Sequence, residues 1–234
     1  MDILGVRIDN LSRKDILEKA ASFLEQDGLH QIATVNPEFI LTAQEDNEFK
    51  TILNQADLCV ADGVGVWFAF LRYGKILKSR LTGVDLMEEI LSLASTKQYL
   101  VSVVMNVHSL SSWEEVRYAI LKKYPTLKIR GVVLENFHHI DDLIFESKIL
   151  LCNFGAPRQE KFIHSLKTRK HNQIRLAIGV GGGMDFLTGK VRRAPKLWRK
   201  IGLEWSWRFA QEPRYRAKRI FRAVVLFPIK IIFN

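Results

Sequence analysis

Residues 30–63 read HQIATVNPEFILTAQEDNEFKTILNQADLCVADG. HQIATV is a short, largely apolar run bounded by polar residues, as a strand is. Asn36-Pro37 supplies a helix N-cap followed by the residue best suited to the first helical position, and EFILTAQEDNEFKTIL continues as a helix. DLCVA is a second strand, ending at Asp62-Gly63. Strand, helix, strand is a pattern whose strands run parallel, with the helix covering one face.

The same alternation extends in both directions. Upstream, Ser12 with Asp15 opens a helix with Ile16, Leu17, Ala20, Phe23 and Leu24 on one side, closed by Gly28. Downstream, a helix is predicted from about Val84 to Ala94, followed by the strand YLVSVVM. Ser112 and Glu115 form a capping box for WEEVRYAILKKY, and LKIRGVVL, KILLCNF and IRLAIGV are further strands. The expectation is an α/β fold: a mostly parallel sheet with helices on both faces.

The chain of 234 residues is 47% hydrophobic and 26% charged, which fits one globular domain with an appendage and argues against global disorder. From Lys190 to the end there are 13 Lys and Arg against Glu204 and Glu212, a net +11. Residues 1–189 hold 22 bases and 23 acids, a net −1. We therefore divide the chain into a body, 1–195, and a basic, aromatic-rich appendage, 196–234. Cys59 and Cys152 lie in apolar runs, which makes neither a disulfide framework nor a metal cluster and suits a reducing compartment. MDILGVRIDN lacks the pattern of a secretory signal, and the longest apolar stretch, AVVLFPIKIIF, is interrupted by Pro228 and Lys230.

Parallel sheets bind ligands at the carboxyl ends of their strands. Asn36, Asp62-Gly63, the GAPRQE run 155–160 and the GGGMD run 181–185 all fall there. Asp62, between an apolar strand and two glycines, reads either as a turn residue or as a general base. Thr34 and Asn36 point the same way from one strand, though Asn36 has the N-cap role to fill. GVGGG fails the dinucleotide fingerprint because the third glycine position is Met184. There is no phosphate loop, no zinc spacing and no Asp-x-Asp pair. His138-His139 with Asp141-Asp142 reads as a polar loop.

The appendage combines its bases with Trp198, Trp205 and Trp207. One reading is a nucleic-acid arm; the other is an anionic membrane surface. The apolar finish VVLFPIKIIF favours the membrane and speaks against nucleic acid. On the membrane reading, removing residues 198–234 should leave a body that folds, stays soluble and no longer binds anionic liposomes.

The blocks TVNPEFI, ADGVGVWFA, RLTGVDLM, NFGAPRQEKF, GVGGGMDFLTGKVRRAPKLW and GLEWSWRFAQEPRYRAKR, in this order and spacing, resemble the WecG/TagA/CpsF family of bacterial glycosyltransferases. The resemblance implies a Rossmann-like catalytic body with a C-terminal helical appendage that docks on the membrane. It implies inverting, metal-independent transfer of an N-acetylmannosamine-type sugar from a UDP donor to undecaprenyl-diphospho-GlcNAc, in cell-surface polysaccharide or teichoic-acid synthesis. No cofactor is expected. The enzyme would sit in the cytoplasm, peripherally on the inner face of the membrane, with self-association. By matching motif, Asp62 is the base, with Thr34 and Asn36 lining the sugar pocket. Arg80 meets diphosphate, Gly63 and Gly181 offer backbone N–H groups, and Gln159 contacts the nucleotide. Arg214, Arg216 and Arg219 close over the site. Two turns depart from the family pattern: VVMNVHSLSS (103–112) stands where a glycine-rich LLGG form is usual, and LENFHHIDD (134–142) replaces a glycine-tyrosine-phenylalanine segment. They bear on donor choice. A different UDP-sugar donor, a catalytically silent scaffold and a nucleic-acid-binding protein are the alternatives.

Overall fold

Local capping chemistry sets the first helices. A short hairpin, β1 (Asp2–Ile3) and β2 (Val6–Arg7), precedes α1 (Arg13–Phe23), where Ser12 and Asp15 form the expected capping box. The helix ends at Leu24, not at Gly28, which takes φ +87° in the loop beyond. After β3 (His30–Val35), the Asn36 carboxamide oxygen accepts from the N–H groups of Glu38 and Phe39, starting α2 (Pro37–Glu45) at its proline. The single helix predicted next is two. Asp46 adopts extended backbone, ends α2 and caps α3 (Asn47–Gln55) by accepting from Phe49 N–H. An aspartate satisfies new helical N–H groups better than it continues an old helix.

β4 (Leu58–Ala61) leads into α4 (Val64–Arg72), and α5 (Gly83–Lys97) begins from a Thr82 cap. β5 (Leu100–Asn106), α6 (Trp113–Lys123), β6 (Lys128–Leu134), β7 (Ile149–Asn153), α7 (Arg158–Ser165), β8 (Leu176–Gly179) and α8 (Gly183–Leu187) complete the body. The C-terminal part is helical: α9 (Lys196–Lys200), α10 (Glu204–Gln211), α11 (Pro213–Phe221) and α12 (Phe227–Phe233), the last two joined by a π-helical segment, Arg222–Leu226. These elements come from a computed structural model describing residues 1–135, 142–169, 172–211 and 213–233. Most of the divergent 134–142 turn, with His138, His139 and Asp141, lies outside the described residues. No described helix is long and apolar enough to cross a membrane.

Six strands form one parallel sheet in the order β4-β3-β8-β7-β5-β6. Alternation along the strands divides the core. Ile32, Val60, Val103 and Ile178 face α1, α5, α6 and α8, while Val35, Cys59 and Ala61 face α2, α3 and α4. Both faces are covered, as the sequence predicts.

The C-terminal segment is not a detachable tail. Phe227 and Ile231 of α12 are fully buried in the core with Val66, Ala69 and Phe70 of α4. Two large side chains contribute about 1.5–3 kcal/mol each by burial, which argues against the expectation that the body folds unchanged without residues 198–234.

Candidate active site

Three helices start around one opening at the carboxyl end of β3 and β4. α2 begins at Asn36, α4 at Gly63 and α5 at Thr82. Gly63 takes φ +86°, a backbone a side chain would strain, and provides no side-chain cap for α4. That leaves the first N–H groups of a nine-residue helix turned towards the opening, where they favour an anion. Gly65 lets α4 approach α2, since a Cβ there would run into the Pro37 ring.

The opening is a cavity of about 540 Å³, a volume suited to a small ligand. Asn36, Asp62, Gly63 and Arg80 line it from the body, and Arg216 and Arg219 from α11. Six of the sequence-predicted site residues, far apart in the chain, thus meet. Asp62 is half-buried at the end of β4, its backbone N–H held by Val35 C=O at 2.8 Å. The C-terminal segment closes the cavity through specific contacts. Arg80 Nη2 donates to Arg199 C=O at 2.6 Å, and Gly202, at φ +82°, packs where a Cβ would crowd Arg80 and Val64. Arg219 pairs with Glu38.

The other candidates lie elsewhere. Thr34 is 6% exposed beneath the start of α5, against Gly83, and does not line the cavity. Arg214 is exposed outside it. Gln159 is buried at the ends of β7 and β8, where its Oε1 accepts from Gly155 N–H (3.0 Å) and Gly181 N–H (3.1 Å), locking both turns. Its Nε2 donates to Glu160 Oε1 at 2.7 Å. Glu160 is itself buried, and burial pushes its carboxyl up to about 7 despite that hydrogen bond.

Sequence reasoning missed Glu38, Asp85, Arg193 and Arg199. Asp85 accepts from Thr82 Oγ1 (2.7 Å) and from Arg193 Nη2 (2.6 Å). Burial alone would raise its carboxyl, but these two hydrogen bonds and the charges of Arg193 and Arg199 outweigh it and hold it below the usual range. The signal was in the text: Thr82-x-x-Asp85 has the form of a capping box, and Glu38 follows Asn-Pro directly. The tryptophans also differ from expectation. Trp205 turns into the cavity and Trp207 Nε1 donates to Arg192 C=O at 3.2 Å, leaving Trp198 as the exposed member at 37%.

A second cavity, about 460 Å³, opens beyond β5 and β6 and is walled by the divergent 103–112 turn. Hydroxyls brace that turn. Ser109 Oγ donates to Asn153 Oδ1 at 2.8 Å, and Ser111 Oγ to Asp185 Oδ1 at 2.7 Å.

The whole chain, residues 1–234, matches the glycosyl transferase WecG/TagA/CpsF family. The chain belongs to that family. Among its curated relatives are proteins of Staphylococcus aureus strains MRSA252, NCTC 8325 and COL, each named N-acetylglucosaminyldiphosphoundecaprenol N-acetyl-beta-D-mannosaminyltransferase. Each is 29% identical over 215 residues, covering 89% of this chain and 83% of the relative. As a WecG/TagA/CpsF member the protein is a glycosyltransferase of the hexosyltransferase type, and the first cavity is its candidate active site.

Proposed function

We propose that this enzyme transfers an N-acetylmannosamine-type sugar from a UDP donor to undecaprenyl-diphospho-GlcNAc at the inner face of the membrane, with inversion and without a metal. The observation that carries the reading is the meeting of Asp62 with Arg80, Arg216 and Arg219 in one cavity. The relatives' names supply the sugar and the acceptor.

In the reaction the acceptor hydroxyl oxygen attacks the anomeric carbon from the face opposite UDP. Its proton passes to the Asp62 carboxylate, and the bond to the β-phosphate oxygen breaks with the electron pair leaving on UDP. Arg80, Arg216 and Arg219 and the N–H groups at the start of α4 are the groups that stabilise that charge. The absence of an Asp-x-Asp pair from the sequence supports a role for these cations in place of a metal. Asp85, tied to Arg193, holds the start of α5 against the segment that leads into the appendage. The basic C-terminal helices bring the enzyme to lipid.

The test is release of UDP from a panel of UDP-sugars by the full chain, with a short-chain prenyl-diphospho-GlcNAc as acceptor. Turnover with UDP-N-acetylmannosamine, undiminished by EDTA, is expected. Turnover only with another UDP-sugar would overturn the donor and point to the turn at the second cavity. Activity lost to EDTA and restored by Mg²⁺ or Mn²⁺ would overturn the metal-free mechanism.

A further inference from the structure

α4 departs from the one-sided pattern of a helix lying on a sheet. Its sequence, VGVWFAFLR, holds no charge before Arg72. Val66, Ala69 and Phe70 are buried in the core, yet Trp67 and Leu71, one turn apart, are 45% and 46% exposed. A helix apolar on all sides is ordinarily enclosed by protein or by lipid. The chain beyond it is basic as well as apolar, with Ile76 82% exposed between Lys75 and Lys78. From Gly63 to Val84 there are four Lys and Arg and no acid. The near-neutral sum over residues 1–189 conceals this local charge.

Its neighbour has the same character. A Cβ on Gly65 would sit 3.4 Å from the Phe227 ring, and Arg72 Nη2 donates to Ile232 C=O at 3.3 Å. Contact at the first turn of both helices and at the last turn of both means that α4 and α12 run side by side in one direction. α12 exposes Ile229, Ile232 and Phe233 around Lys230. Neither segment contains an acid, so along the sequence the charged neighbours of these exposed apolar side chains are cations, while Glu45 on the adjacent α2 is paired with Arg222.

We propose that α4 and the turn after it form a second membrane contact, built into the catalytic body, which seats Trp67 and Leu71 in the interface of an anionic bilayer beside α12. The proposal rests on the membrane reading above. Charge complementarity selects anionic lipid as the occupant: apolar residues flanked by Lys and Arg, with tryptophan at headgroup depth, match that surface. The consequence is geometric. α4 starts two residues after Asp62 and at 1.5 Å per residue is about 13 Å long. Its depth in the interface therefore sets the height of the candidate base, at the level where the diphosphate of a lipid-linked acceptor lies.

The experiment uses the full chain labelled at one introduced cysteine. Cys59 and Cys152 are fully buried, and burial pushes the Cys59 thiol up to about 11 and the Cys152 thiol higher still, so a thiol reagent spares both. An environment-sensitive fluorophore is placed at Leu71→Cys, Ile229→Cys or, on the opposite face of the sheet, Tyr118→Cys. Each is titrated with phosphatidylglycerol–phosphatidylcholine vesicles. Brighter, blue-shifted emission is expected at 71 and 229 and not at 118. A response at 229 alone overturns the α4 contact while leaving the appendage on the membrane. A response at neither overturns the membrane reading itself. A response at 71 that grows with protein concentration in the absence of vesicles assigns the patch to a second copy of the chain and overturns the proposal. As an unlabelled check, Trp67→Ser with Leu71→Ser should reduce vesicle partitioning by at least about tenfold while turnover of a water-soluble acceptor stays at the parental level. Partitioning at the parental level would overturn the proposal.

Discussion

Arg219 of α11 and Glu38 of α2, 181 residues apart, form a two-pronged ion pair at the mouth of the cavity. Arg219 Nε lies 3.0 and 2.8 Å from the two carboxylate oxygens, and Nη2 lies 2.6 Å from one of them. The pair ties the helix that closes the site to the helix that begins beside Asp62. Partly exposed pairs of this kind contribute only about 0–1 kcal/mol to stability, so its effect should be on geometry. Glu38→Gln should leave the melting temperature nearly unchanged while lowering kcat/KM about tenfold, the scale of one charged hydrogen bond. Unchanged kinetics would show that Arg219 needs no such partner.

Asp62→Asn should abolish transfer, by about 10²–10⁴-fold, the typical contribution of a general base. UDP binding, measured by calorimetry, should persist because the cations are untouched. Near-normal turnover would make Asp62 a turn residue only.

The appendage arginines should separate by position. Arg216→Ala removes a cation lining the cavity and should depress transfer to a short, water-soluble acceptor about 10²-fold. Arg214, exposed outside the cavity, should matter chiefly for vesicle binding. Equal effects of the two on the soluble acceptor would contradict this division.

Glu160 makes stability pH-dependent. Its folded value, about 7, is raised above the ordinary Glu value of about 4.3. Its favourable contribution is therefore complete below about pH 4.3, declines as pH rises, and is gone above about pH 7. Glu160→Gln should gain stability relative to the parent between pH 5 and pH 8 in urea titrations. A constant difference across that range would place the Glu160 carboxyl near its ordinary value.

Phe227→Ala should cost about 3–5 kcal/mol, as for other fully buried aromatic side chains. Truncation before α9 should cost more and expose the α4 core face. A truncated chain with parental urea stability would mean α12 is dispensable to the core.

The six strands, the capping boxes at Ser12 and Ser112 and the Asn36-Pro37 helix start are legible in the sequence because they depend on neighbours a few residues away. So is Asp62, which stands at a strand end beside glycines. The division of the helix at Asp46 was harder to see, since apolar spacing continues across it while one side chain's preference for capping decides the backbone. Strand order, with β8 inserted between β3 and β7, depends on pairings distant in sequence that no local pattern specifies. The same limit applies to the site. Gln159 appears in a polar motif whether it meets a ligand or locks two turns, and only its burial against Gly155 and Gly181 distinguishes them. The basic C-terminal run, read as a detached tail, is anchored by Phe227 and Ile231. A helix with apolar residues on several sides does not declare which side meets protein and which meets water or lipid. Sequence determined the elements and the chemistry available at their ends; tertiary packing decided which charges face one another across the cavity, because that depends on distances between segments that no segment encodes by itself.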